Sequence, residues 1–89
     1  MFYNGAPLSL LEMNDYHPDR LLDILSKQLK AGNDRTLARL LEISPSSISK
    51  IRRKVIAISA KNLLSIHDGS GIAIKELRKM MGDKRKFFD

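Results

Sequence analysis

The sequence predicts an all-α fold of five short helices in a single domain. Three observations support this. Leucine and isoleucine recur at helical spacing through most of the 89 residues, and each apolar stretch is bounded by residues that start or stop helices. The alternation typical of a strand is confined to residues 55–59, which is too short to build a sheet. Three Phe, two Tyr and no Trp leave the core to Leu and Ile, which suits packed helices.

The first two helices lie in the first half of the chain. Pro18 suits the first position of helix 1, expected over about residues 18–31, and Gly32 suits its left-handed stop. Asn33 or Asp34 can cap helix 2, expected over about residues 34–42. The apolar faces are Leu21, Leu22, Leu25 and Leu29 on helix 1, and Leu37, Ala38, Leu40 and Leu41 on helix 2.

Three further helices follow. Ser44 and Pro45 form a cap and a first position for helix 3, expected over residues 45–54. Ser59 caps helix 4, which should end at the break over residues 68–71, and helix 5 should run from about 73 to 81 before Gly82. The predicted inner residues are Ile48, Ile51 and Val55 on helix 3, Leu63, Leu64 and Ile66 on helix 4, and Ile74, Leu77 and Met80 or Met81 on helix 5.

The chain therefore divides into an N-terminal arm (1–16), a helical domain (17–82) and a basic C-terminal tail (83–89). The arm carries an apolar patch from Leu8 to Met13. This patch fits a frayed arm, a helical turn docked on the core, or a dimer contact, and the sequence does not decide among them.

Charge is distributed unevenly along the chain. Residues 1–43 carry five basic and six acidic residues, a net charge of −1, whereas residues 44–89 carry eleven and four, a net charge of +7. No acid lies between Glu42 and Asp68. A block of one sign on a folded segment favours a polyanionic partner, either nucleic acid or an acidic membrane face. A merely solvated face is the alternative that charge alone leaves open.

Several functional classes are disfavoured. The chain has no cysteine, which excludes disulfides and thiolate zinc sites and fits a reducing compartment. His17 and His67 are isolated, and no Gly-rich phosphate loop or paired carboxylates are present. We therefore expect no enzyme, cofactor, metal or small-molecule substrate. The absence of a signal peptide and of a long apolar run predicts a soluble, cytoplasmic protein without membrane association.

Residues 36–51 resemble the helix-turn-helix of Cro and lambda-repressor-like regulators. The matching string is Thr36-Leu37-Ala38-Arg39-Leu40-Leu41-Glu42-Ile43-Ser44-Pro45-Ser46-Ser47-Ile48-Ser49-Lys50-Ile51. The resemblance covers about residues 18–81 and implies a five-helix lambda-repressor-like domain. Two positions depart from the pattern. Glu42 stands where the turn usually has glycine, so it should take a left-handed conformation, and Asp34 stands where members often carry a phosphate-contacting Gln.

The outer face of helix 3 fits the DNA-binding role that this resemblance implies. At 100° per residue, Ser46, Ser49, Lys50 and Arg53 point away from Ile48 and Ile51. Hydroxyls can bond donors or acceptors on base edges, and a lysine suits guanine O6 and N7. With Pro45 and Ser47 added by the resemblance, the predicted base contacts are Pro45, Ser46, Ser47, Ser49 and Lys50. The predicted phosphate contacts are Asn33, Arg35, Arg52, Arg53, Lys54 and Lys61.

The sequence thus predicts a repressor-type transcriptional regulator that binds double-stranded DNA, associates with the nucleoid, and acts as a homodimer on a pseudo-palindromic operator. The candidate dimer contacts are the apolar patch of the arm, and helix 5 with Met80, Met81, Phe87 and Phe88. A first alternative is a protein-interaction module, such as the DNA-binding antitoxin of a toxin–antitoxin pair. A second alternative is the binding of structured RNA through the same basic surface.

Overall fold

The computed structural model describes residues 10–85, and all regular structure within that range is helical. A short 3-10 turn, Leu10–Glu12, precedes five α-helices. These are α1 (Pro18–Gln28), α2 (Asp34–Leu41), α3 (Pro45–Arg52), α4 (Ala60–Ser70) and α5 (Ile74–Met81). Each of them is too short to cross a membrane. The all-α class expected from the sequence is confirmed for these residues.

Three helices begin at side-chain caps that the sequence marks. The side chain of Asn33 accepts a hydrogen bond from the backbone N–H of Thr36 at 2.8 Å. Ser44 caps α3 by accepting from Ser47 at 3.1 Å, and Ser59 caps α4 by accepting from Asn62 at the same distance. These oxygens satisfy backbone donors that have no partner within the helix.

Three predicted helix ends are wrong. Helix α3 ends at Arg52 rather than at residue 54. Helix α1 ends at Gln28 because Lys30, not Gly32, is the first residue to turn left-handed, and Ala31 N–H returns to the Ser26 carbonyl at 2.8 Å. Helix α4 continues through Gly69 to Ser70, and Gly71 forms the left-handed cap. At Gly69 a Cβ would lie 3.3 Å from the carbonyl oxygen of Leu40, so glycine here allows α4 to approach α2 closely.

The core is a single apolar cluster to which every helix contributes. Helix α1 packs against α2, α3 and α5, and α4 packs against α2 and α5. Three residues expected on inner faces are instead exposed: Leu40, Val55 and Leu64. Val55 is exposed because α3 ends at Arg52 and Lys54 is left-handed. Val55 therefore lies outside the helix and does not share the face of Ile51.

The described part of the presumed arm belongs to the folded domain. Leu10 and Tyr16 are buried, and the N–H of His17 donates to the Met81 carbonyl at 2.7 Å. Gly82 follows α5 with φ of 79°, and a Cβ on it would overlap the carbonyl oxygen of Asp15. Of the three arrangements that the sequence leaves open, residues 10–16 adopt the one in which a helical turn docks on the core.

The beginning of the presumed tail also folds back. Asp83 is the one charged residue among those described that is buried, and its carboxylate accepts from Arg85 at 2.7 Å. Arg85 also donates to the Ile58 carbonyl at 2.6 Å. The domain boundary expected at residue 82 is therefore too early, because residues 83–85 fasten the end of α5 to the segment between α3 and α4. Phe87 and Phe88 lie outside the described residues.

Candidate nucleic-acid interface

Helix α3 has a buried apolar side and an exposed polar side. Ile48 and Ile51 are 0% exposed, and they hold the helix against α1 and α2. Ser44 and Ser47 occupy its first turn, where the hydroxyl of Ser44 donates to Oγ of Ser47 at 2.9 Å. This bond leaves the half-buried Ser47 partly committed to the helix start, so it is less available than its exposed neighbours.

The exposed side consists of Pro45, Ser46, Ser49 and Lys50, followed by Arg53 at the helix end. Within residues 10–85, neither Ser46 nor Lys50 uses its side chain in a hydrogen bond, and both are exposed. Arg53 folds along the helix, where its Nε donates to the carbonyl of Ser49 at 3.3 Å. This bond is long, exposed and within one helix, so a guanidinium can exchange it for a stronger anionic acceptor.

The start of α2 lies beside the end of α3, because Arg52 at that end binds Asp34, the first residue of α2. Asn33 and Arg35 are exposed there, and Asn33 uses its oxygen as the cap of α2 while its amide NH2 group still has hydrogens to donate. Lys61 is exposed in the first turn of α4, which also packs against α2. Helix starts carry partial positive charge, which favours phosphate.

Arg52 departs from its expected role as a phosphate contact. Its Nε and Nη2 donate to the two oxygens of Asp34 at 3.0 and 2.9 Å, and its Nη1 donates to Asp23 at 2.8 Å. Its side chain is 28% exposed. The hydrogen bonds that Arg52 donates to Asp34 raise the pKa of Arg52, against the opposing effect of partial burial. Arg52 thus joins α1, α2 and α3, and its guanidinium is occupied.

Lys54 is also partly committed within the fold. Its backbone is left-handed, with φ of 61°, and Val55 N–H returns to the Lys50 carbonyl at 2.8 Å to close the helix. Its ammonium lies 5.9 Å from the ring centre of Tyr16, which is within the range of a cation–π interaction. Among the cations expected at the end of α3, Arg53 is therefore the one best placed to reach a phosphate.

Acidic residues are few around this surface. Asp23 and Asp34 are both bound by Arg52, and Glu42 is exposed at the left-handed turn between α2 and α3, with φ of 57° as its position predicts. The segment from Ile43 to His67 contains no acid at all. Residues 43–67 therefore carry five basic residues and no acid.

Two cavities lie away from the outer face of α3. One of about 320 Å³ is lined by Lys75, Lys79 and Lys84 together with Arg78, Gly82 and Asp83. It sits at the C-terminal end of α5, where cations offset the partial negative charge of the helix end. The other, of about 180 Å³, lies between α2 and α4 beside Glu42 and Asp68. Within residues 10–85 no group of three or more His, Cys, Asp or Glu is arranged to hold a metal ion.

Comparisons with protein-family models, with curated proteins and with solved structures found no match.

Two features of this region do not follow from the sequence pattern. The pattern assigns Tyr16 to the arm, yet Tyr16 is fully buried beneath Lys54, and burial raises the pKa of its hydroxyl. The ion pairs of Arg52 with Asp23 and Asp34 are the second feature. They could not be predicted because an arginine 18 residues from an aspartate leaves no periodic signal. An acid at the start of α2 and an arginine at the end of α3 were the available hints.

Proposed function

We propose that this protein binds double-stranded DNA in a sequence-specific manner, with α2 and α3 as a helix-turn-helix and α3 as the helix that enters the major groove. In this proposal Ser46, Ser49 and Lys50 read base edges, and Pro45 and Ser47 border the groove. Arg53, Arg35, Asn33 and Lys61 contact phosphates. Lys54 contributes positive charge at the end of α3 while its stem and ammonium cover Tyr16.

One observation carries the proposal. The outer side of α3 presents small hydroxyls and a lysine to solvent, while two fully buried isoleucines fix the helix from behind. A helix with short polar side chains can lie deep in a major groove, which is wide enough to admit it. Exposed cations at the end of α3 and at the starts of α2 and α4 support the proposal further, because such residues suit contacts with a phosphate backbone.

A homodimer on a pseudo-palindromic operator completes the proposal, and a repressor-type regulator is its biological form. One such helix covers only a few base pairs, and a second copy about 34 Å away adds the missing discrimination. The two dimer contacts suggested by the sequence, the apolar patch of the arm and the end of α5, expose less apolar surface than expected. Leu10 and Met81 are buried, and Leu11, Met13 and Met80 are half-buried against the core. The remaining members, Leu8, Phe87 and Phe88, lie outside the described residues.

Selection from a random pool of duplex DNA tests the proposal directly. We expect the recovered sequences to share two half-sites of opposite orientation, separated centre to centre by about one helical turn. Binding to the selected duplex should weaken steeply with salt, with a log–log slope of about −0.9 for each phosphate contacted. A pool that shows no enrichment over many rounds would contradict sequence-specific binding.

A protein-interaction module, such as the DNA-binding antitoxin of a toxin pair, is a second candidate. It is favoured by four exposed apolar side chains, Ile24, Leu40, Val55 and Leu64, which are 41 to 52% exposed. Single exposed apolar residues are common on proteins, so they give weaker support than the α3 surface does. Enrichment of no DNA sequence, together with a stable complex with another protein, would favour this candidate.

A further inference from the structure

Arg52 sits between two acids that a DNA-binding surface would not be expected to contain. Asp34 is the first residue of α2, where the helix dipole and free N–H groups would otherwise attract phosphate. Asp23 lies on α1 and is 65% exposed. Two free carboxylates beside an approaching phosphate backbone would repel it.

The hydrogen bonds of Arg52 to these two carboxylates remove much of that repulsion. Both oxygens of Asp34 accept hydrogen bonds from Arg52, in the paired arrangement that is the strongest available to an arginine and a carboxylate. The remaining terminal nitrogen binds Asp23 at 2.8 Å and approaches the Asp19 carbonyl at 3.4 Å. All three guanidinium nitrogens are therefore engaged, and one positive charge lies between two negative ones.

We propose that Arg52 is a positioning residue that neutralises Asp34 and Asp23 beside the DNA-binding surface and fixes α3 against α1 and α2, rather than a residue that contacts DNA. This inference rests on the proposed function. It reverses the role expected from the sequence, in which Arg52 binds phosphate. It also accounts for an acid at the start of α2, because the acid is the partner that holds the end of α3 in place.

The test compares six proteins for binding to the selected duplex over a range of salt concentrations. They are wild type, Arg52→Gln, Asp34→Asn, Asp23→Asn, the double variant Arg52→Gln/Asp34→Asn, and Lys79→Gln. Lys79→Gln is the matched control, because it removes the same charge from an exposed position on α5. Circular dichroism of each variant reports whether the helices are retained.

The expected pattern follows from charge. Arg52→Gln leaves two unpaired carboxylates and should weaken binding by about tenfold or more at low salt, whereas Lys79→Gln should change it by less than about twofold. The double variant should recover at least half of that loss on a logarithmic scale, because the carboxylate nearest the start of α2 is gone. Asp34→Asn alone should stay within about threefold of wild type and keep its salt slope.

A different pattern would overturn the inference. If Arg52 contacted phosphate directly, Asp34→Asn would free it, tighten binding by about tenfold and make the salt slope steeper by about 0.9. The double variant would then bind no better than Arg52→Gln. Should Arg52→Gln fail to fold, Asp34→Asn and Asp23→Asn still distinguish the two roles, since both retain Arg52. Affinity and salt slope close to wild type support the positioning role, and tighter binding with a steeper slope supports a phosphate contact. A wild type that binds no duplex would refute the proposed function instead.

Discussion

Substitution of Gly82 by alanine tests the most unexpected part of the fold, the packing of residues 15 and 16 against the end of α5. Gly82 has φ of 79°, and an alanine in this conformation costs about 1 to 2 kcal/mol. The added Cβ would also overlap the Asp15 carbonyl oxygen, which is backbone and cannot rotate away. Such overpacking costs about 1 to 3 kcal/mol, so the total should be about 2 to 5 kcal/mol.

Gly71 provides the matched control for this prediction. It caps α4 with φ of 75°, and a Cβ there would meet nothing within 4 Å. Gly71→Ala should therefore cost only the conformational part, about 1 to 2 kcal/mol. Free energies of unfolding from urea titrations, followed by circular dichroism, measure both variants. If Gly82→Ala were no less stable than Gly71→Ala, residues 15 and 16 would not pack on α5 in the way described.

Three further predictions concern the site and its surroundings. Lys50→Ala should reduce discrimination between the selected duplex and its base-substituted forms by about 1 to 3 kcal/mol, whereas Arg53→Ala should weaken all duplexes alike; equal effects on every sequence would contradict this division. Glu42→Gly should be more stable than Glu42→Ala by about 1 kcal/mol in urea unfolding, because only glycine adopts φ of 57° without strain, and equal stabilities would refute that reading. Burial raises the pKa of Tyr16 above its usual value of 10.0, so the folded state holds this proton more tightly than the unfolded chain. The contribution of Tyr16 to the free energy of unfolding is therefore present below pH 10 and is lost as the pH rises beyond it. Tyr16→Phe should flatten this decline of the unfolding free energy with pH. An unchanged decline would show that other groups cause it.

The sequence identified those parts of the fold that depend on neighbouring residues. Asn33, Ser44 and Ser59 cap the helices that follow them because a cap and its N–H donor are three residues apart. The outer side of α3 was likewise predictable, since the 3.6-residue period that buries Ile48 and Ile51 turns Ser49 and Lys50 outward.

Contacts between distant residues were not predictable in this way. Arg85 binds the Ile58 carbonyl 27 residues away, and Lys84 binds Asp15 69 residues away. Local patterns carry no signal for such contacts, so the sequence left the arrangement of the arm undecided and assigned residues 83–85 to a tail. The Arg52 ion pairs were not predictable for the same reason. Lys30 and Lys54 take left-handed conformations that a local rule would give to glycine. Tertiary packing overrides that preference, and the predicted helix ends near them were displaced accordingly.

The central claim is that the outer side of α3 engages duplex DNA. Amide NMR spectra recorded during titration with the selected duplex test it most directly, because each backbone N–H reports its own surroundings. We expect the largest changes at residues 44–54, with smaller ones at the starts of α2 and α4. Changes concentrated instead around the lysines of α5, with residues 44–54 unaffected, would contradict the claim.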